Sequence, residues 1–324
     1  MGANNIPTAL VVFGATGDLM TKKITPALFN LFTNNKLPKL FRLIGYARRP
    51  LTDEQFRDHV SQILRANKHL KHSRKEIDSF LKCFFYKQGR FEALKDYKSL
   101  AKDLGRVDEQ WKVCSNKLFY TAVPPEFYET IFKHLHASGL TIPCGPDEGW
   151  TRVIVEKPFG KDSKTAERLD LKLAQLFKEE QIYRIDHYLA KEMLQNILSF
   201  RFSNNIFEQS WSNEYIEKIS IRLLEKIGVE KRGVFYDGVG ALRDMGQNHL
   251  LQMLSLVAMD HPISFGADKI REKRDELLRC LIPPSQSEIL EHTVRAQHSG
   301  YRSIAGVKKN SETETFFRVR AFLD

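Results

Sequence analysis

ALVVFGATGDL, residues 9–19, decides the fold. ALVVF is a short unbroken apolar run, the pattern of a strand buried on both faces. It breaks at Gly14, and KKITPALFNLFTNN (22–35) then spaces Ile24, Leu28, Leu31 and Phe32 as one face of a helix. Strand, glycine turn and helix open a doubly wound α/β sheet, and at that turn backbone N–H groups and the helix dipole can receive a pyrophosphate. The spacing is G-x-x-G, so a plain tight turn also accounts for it taken alone.

The alternation repeats along the chain. FRLIGYA (41–47) is a second strand, followed by TDEQFRDHVSQILRAN (52–67) with a capping-box pattern from Thr52 to Gln55. CFFYKQG (83–89) precedes a helix to about residue 104, KLFYTAV (117–123) precedes PPEFYETIFKHLHASG, and RVIVEK (152–157) precedes SKTAERLDLKLAQLFKE. The succession predicts a Rossmann-like, doubly wound parallel sheet over residues 1–187. Beyond it the pattern changes. KISIRLLEK (218–226) and ETFFRVRAFL (314–323) alternate like strands and HLLQMLSLVAM (249–259) is an apolar helix, which predicts an α+β domain with a largely antiparallel sheet over 188–324. The final strand is still in progress at Asp324, so this second domain is expected to be either closed by an edge strand or truncated.

Composition narrows the partners. Hydrophobic residues make up 42% and charged residues 28%, which fits a globular chain of two domains. No apolar run is long enough to span a bilayer, the N-terminus lacks the pattern of a secretory signal, and Ile6 stands where a myristoylated Met1-Gly2 start needs Ser or Thr. The net charge of +10 is spread among acids, as in KEEQ and EKRDELLR, which favours a phosphorylated small molecule over nucleic acid. Cys83, Cys114, Cys144 and Cys280 are scattered without a C-x-x-C pair, so neither a zinc site nor a disulfide framework is expected and a reducing cytoplasm is the default.

Three clusters carry candidate chemistry. Where an NAD site ends its second strand in an acid, this chain has Arg48-Arg49; a guanidinium there pairs with a 2'-phosphate and selects NADP, unless both arginines are simply solvated. In YRIDHYLAKEML (183–194), a helix from about residue 186 puts His187 and Lys191 one turn apart, able to grip an anion, with Asp186 pointing elsewhere; a mixed-charge surface helix is the alternative. In GALRDMGQNHLLQM, Asp244 and His249 sit where a helix enters an apolar run. His249 is either a core histidine or, with a carboxylate to orient it, a base for oxidising a sugar hydroxyl. Lys157, in VEKPFG, lies where a parallel strand ends at the ligand edge, before a turn in which a cis Lys157–Pro158 bond is possible.

GATGDL, GYARR, LFYTAVPP, VIVEKPFG, RIDHYLAKE and RDMGQNHLLQM, in this order and spacing, resemble the glucose-6-phosphate dehydrogenase family from about residue 8 to the C-terminus. The resemblance implies an NADP loop of Gly14, Thr16, Gly17, Asp18 and Leu19, a 2'-phosphate partner in Arg48, and Tyr120 beside the coenzyme. It implies that Lys157 touches coenzyme and sugar, that His187, Tyr188 and Lys191 hold the substrate phosphate, and that Glu225 and Asp244 bind sugar hydroxyls. His249 would be the general base and Asp186 its stabiliser, with no metal. Glucose 6-phosphate would be the substrate, and the family's homo-oligomer would lack its interface here because members continue past this point. One departure lies inside a motif, where the family usually has Gly in place of Ala190; in a helix the extra methyl is tolerable.

Overall fold

A computed structural model describes residues 6–67, 73–145, 149–157, 159–160, 162–203 and 208–324. The Met1-Gly2 start and Pro158, with its peptide bond, lie outside the described residues. The chain divides into two compact units, Met1–Ile185 and Asp186–Asp324.

The first unit is a six-stranded, wholly parallel sheet. Its strands are β1 (Thr8–Phe13), β2 (Phe41–Ala47), β3 (Phe84–Gln88), β4 (Asn116–Thr121), β5 (Thr151–Val155) and β6 (Ile182–Arg184), in the order β3-β2-β1-β4-β5-β6. This is the doubly wound order, with a topological switch between β1 and β4. Flanking helices are α1 (Thr25–Thr33), α2 (Asp53–Ala66), α3 (Arg74–Leu81), α4 (Leu94–Trp111), α5 (Tyr128–Ala137) and α6 (Ser163–Leu176).

The unbroken apolar run of β1 follows from this layering. Successive side chains of a strand point to opposite faces, and both faces are covered. Ala9, Val11 and Phe13 enter one core with Tyr46, Tyr97, Phe119 and Phe132, while Leu10 and Val12 enter another with Phe29, Phe56, Phe80 and Phe84. The Thr52 capping box forms as expected, Oγ1 accepting from Gln55 N–H at 3.2 Å and Gln55 Oε1 accepting from Thr52 N–H at 2.9 Å. Such a cap stabilises its helix by about 1 kcal/mol. Helix α4 continues past the expected end near residue 104 to Trp111, where Lys112 closes it in the left-handed region at φ 55°.

The second unit contains α7 (Glu192–Phe202), α8 (Gly233–Tyr236), α9 (Leu251–Ala258), α10 (Ala267–Arg279) and α11 (Gln286–His292). Two antiparallel ribbons accompany them: β7 (Leu281–Ile282) with β10 (Phe322–Leu323), and β8 (Thr293–Ala296) with β9 (Phe316–Val319). The buried Arg201 guanidinium ties α7 to the end of α9, donating to the carbonyls of Leu256 at 3.2 Å and Met259 at 2.8 Å.

Three expectations are corrected. Residues 218–226 form no strand; alternation supplies a face but not a ladder, and no strand among the described residues pairs with this one. The helix expected from residue 186 begins at Glu192 instead. Asp186 Oδ1 accepts the Tyr188 N–H at 3.0 Å, a side-chain turn that competes with helix, and two tight turns follow, Leu189 N–H to Asp186 O and Lys191 N–H to Tyr188 O. Lastly, Cys114 and Cys144 are joined as a disulfide, which their spacing of 30 residues did not suggest.

Candidate active site

Parallel register brings the ends of the first unit's strands to one edge, with Phe13 beside Tyr46 and Thr121, and Thr121 beside Val155. Gly14 leaves β1 with φ +82°, and its N–H donates to Tyr46 O at 2.9 Å; a Cβ there would lie 2.4 Å from Ala122 O. Only glycine makes this turn at this distance. Gly17 N–H donates back to Gly14 O at 2.9 Å, and a single π-turn, Met20–Ile24, leads into α1. Thr16 is half-buried, Leu19 packs against the core, and Asp18 is exposed in an ion pair with Lys22 at 2.7 Å.

At the end of β2 the side chains of Arg48 and Arg49 are exposed while their carbonyls are fixed, Arg49 O accepting from Tyr86 OH at 2.6 Å and Arg48 O from Gln88 Nε2 at 3.3 Å. A pinned backbone presenting exposed guanidinium heads suits an anion. At the end of β4 the Tyr120 hydroxyl donates to Glu156 Oε1 at 2.5 Å, and burial followed by this bond pushes its pKa far up. Tyr128 OH holds the Glu156 carbonyl at 3.0 Å, so the strand end carrying the half-buried Lys157 is clamped from both β4 and α5. Glu156 is absent from the expected site; its only signal was its place beside Lys157.

The second cluster lies wholly within the second unit. A π-helix, Leu242–Leu250, carries both Asp244 and His249, with the Leu251 N–H reaching back to Gly246 O. π-Stretches are rare and concentrate at functional sites. His249 is 4% exposed, and its Nδ1 lies 3.1 Å from Asp186 Oδ1. Tyr188 stacks on the imidazole with centroids 4.0 Å apart, and His187 meets it edge-on at 5.0 Å. Lys191 places its ammonium 3.6 Å from the Tyr188 ring centre. Thus His187 and Lys191 share one cluster through Tyr188 and turns, not through helical spacing, and both are exposed.

Glu225 Oε1 accepts from Tyr188 OH at 3.1 Å. Burial, then Glu225, with lesser contributions from Asp186 and Asp244, pushes the Tyr188 hydroxyl up to about 12. Arg274 on α10, not among the expected site residues, is half-buried, donates to Ser255 Oγ at 3.1 Å and feels the Asp186 carboxylate; burial lowers its pKa. Ala190 lies in the turn before α7, exposed and without a left-handed φ, so its methyl meets no backbone penalty.

The expected residues therefore form two groups. Gly14, Thr16, Gly17, Asp18, Leu19, Arg48, Tyr120 and Lys157 belong to the first unit, and Asp186, His187, Tyr188, Lys191, Glu225, Asp244 and His249 to the second.

Residues 11–196 match the glucose-6-phosphate dehydrogenase NAD binding domain, and residues 198–324 match the C-terminal domain of the same family. Glucose-6-phosphate 1-dehydrogenase of Streptococcus pneumoniae is 41% identical over 97% of this chain and 64% of its own length. That of Bacillus subtilis is 38% identical over 100% of this chain and 67% of its own length. Among solved structures, a glucose-6-phosphate dehydrogenase in complex with its substrate glucose-6-phosphate superposes with a TM-score of 0.89 at 33% identity, covering 100% of this chain and 67% of that one. The Mycobacterium avium glucose-6-phosphate 1-dehydrogenase superposes with a TM-score of 0.86 at 35% identity, over 98% of this chain and 66% of its own. The chain thus spans between 53% and 67% of the length of these and the other curated relatives it matches. With both domain descriptions matched in order, the chain belongs to the glucose-6-phosphate dehydrogenase family.

Proposed function

We propose that the chain oxidises D-glucose 6-phosphate at C1 with NADP, giving 6-phospho-D-glucono-1,5-lactone and NADPH, the first step of the oxidative pentose phosphate pathway. The observation that supports this most is the buried Asp186–His249 pair. With Nδ1–H donated to the carboxylate, Nε2 keeps its lone pair and can take the proton of the C1 hydroxyl, while Asp186 stabilises the imidazolium that results. His187 and Lys191 would hold the 6-phosphate, with the Tyr188 ring packed against both and its hydroxyl proton given to Glu225. Glu225 and Asp244 would accept from sugar hydroxyls, since a carboxylate has acceptor capacity beyond one bond.

The glycine turn and the exposed arginines fit NADP: Gly14 lets backbone approach a pyrophosphate, and Arg48 offers a 2'-phosphate a fork of donors. Thr16, Gly17, Asp18 and Leu19 would complete that loop, with Tyr120 and Lys157 at neighbouring strand ends. When bound, NADP supplies the acceptor for the two electrons leaving C1. The proposed setting is the cytoplasm; no helix among the described residues is long and apolar enough to cross a membrane.

A second reading, coenzyme binding without turnover, is favoured by residues 218–226, which carry Glu225 and pair with no strand among the described residues. Absorbance of NADPH formed from NADP and glucose 6-phosphate, run beside a direct titration of NADP binding, separates the two. Binding without NADPH would reject the enzyme assignment for this chain and leave the coenzyme assignment standing.

A further inference from the structure

We propose that Cys114 and Cys144 are a thiol–disulfide exchange site, which a low-molecular-weight disulfide oxidises and a dithiol reduces. The site lies where β4 and β5 begin, at the edge of the first unit's sheet opposite Gly14, Arg48 and Lys157. Cys114 follows α4 and Cys144 precedes β5, so the bond joins two successive crossovers that are otherwise linked there by Lys117 N–H to Trp150 O at 2.8 Å.

Three features build the site. The Cα atoms lie 6.4 Å apart, within the span that disulfides bridge. Gly149, at φ +66°, leaves room for the sulfurs, since a Cβ there would lie 2.9 Å from Cys114 Sγ and 2.9 Å from Cys144 Cβ. The buried Lys117 amine sits 3.9 Å from Cys114 Sγ, and Asp108, its ion-pair partner at 2.8 Å, lies 3.8 Å from the same sulfur, so a proton donor and a proton acceptor flank Cys114. Asp108, Cys114 and Cys144 also have the atom types of a metal site, but the Lys117 ammonium already neutralises Asp108 and disfavours a further cation.

Exposure sets the order of events. Cys144 is exposed and Cys114 half-buried. The Cys144 thiolate attacks the small disulfide, forming a mixed disulfide and releasing one small thiolate. Cys114 thiolate then attacks the Cys144 sulfur, forming the protein disulfide and releasing the second. The two protein thiols are oxidised, one small disulfide is reduced to two thiols, and the two protons pass to them. The product closes a segment spanning 30 residues that includes α5, which restricts the unfolded chain.

The test treats the whole chain with oxidised glutathione or with dithiothreitol, then counts free thiols under denaturing conditions and maps non-reduced peptides by mass. Oxidation should remove two of the four thiols, give a Cys114–Cys144 peptide, leave Cys83 and Cys280 free, and raise the urea midpoint of unfolding by an amount dithiothreitol abolishes. Cys114→Ser should stall as a glutathione adduct on Cys144. A lasting adduct on wild-type Cys144, a bridge to Cys83 or Cys280, or four remaining thiols would overturn the proposal, whether or not the chain is active.

Discussion

The Tyr188 ring lies over the His249 imidazole at 4.0 Å with planes 29° apart, and its hydroxyl donates to Glu225. One side chain thus supports the proposed base from above and reaches a proposed sugar-binding carboxylate. Tyr188→Phe should keep the stack and lose the bond, leaving stability within about 1 kcal/mol of wild type while weakening substrate binding. Tyr188→Ala empties a 5% exposed site and should cost about 3–5 kcal/mol in urea unfolding.

The same hydroxyl predicts an alkaline signature. Folding raises its pKa from 10.0 to about 12, so the neutral phenol is favoured in the native state. That contribution is complete below the unfolded value and is lost as pH rises from about 10 to about 12. Wild type should therefore lose stability more steeply than Tyr188→Phe across that window in pH-dependent urea titrations; parallel curves would contradict it.

Asp186 has two jobs that substitutions can separate. Its Oδ1 meets His249 Nδ1 at 3.1 Å and the Tyr188 N–H at 3.0 Å. Asp186→Asn retains an oxygen for the turn but removes the charge that stabilises an imidazolium, so unfolding should change little while kcat falls by about 10²–10⁴-fold. Asp186→Ala should lose stability as well. Equal kcat in Asp186→Asn and wild type would remove Asp186 from the proposed chemistry.

Much of the first unit was legible because its signals are local. FRLIGYA is β2 residue for residue, and Thr52 with Gln55 marks the start of α2. What escaped was nonlocal or short. β6 is three residues whose strand character comes from pairing with Val153–Val155, and α3, though opened by a Ser73–Glu76 capping box, has only eight residues. The candidate site was legible in residue type and less so in geometry. Asp186, His187, Tyr188, Lys191 and His249 do converge, yet the Asp186 side-chain turn delays the helix and replaces the expected spacing. The cysteine bond was hidden because only the fold brings residues 114 and 144 together.

Arg48 tests the coenzyme preference. Its side chain is exposed at the end of β2, so Arg48→Ala should leave unfolding unchanged. A charge-assisted bond to the 2'-phosphate contributes about 1.5–3 kcal/mol, so NADP affinity should fall by roughly 10–150-fold with NAD affinity unaltered. Isothermal titration with both nucleotides measures this, and equal losses for the two would contradict a 2'-phosphate role.

Gly14 tests the loop itself. At φ +82°, with Ala122 O 2.4 Å from where a Cβ would stand, Gly14→Ala forces β1 and β4 apart at the proposed coenzyme edge. NADP binding should be lost together with at least about 1–2 kcal/mol of stability. Retained NADP affinity in a folded variant would place the nucleotide elsewhere.

The central claim rests on His249 and is tested most directly by NADPH formation from glucose 6-phosphate and NADP in wild type and His249→Asn, each checked for folding and NADP affinity. Wild type should turn over, and the variant should bind NADP normally while its kcat falls by about 10²–10⁴-fold. A variant as fast as wild type would contradict His249 as the base, and a folded, NADP-binding wild type that forms no NADPH would contradict the activity itself.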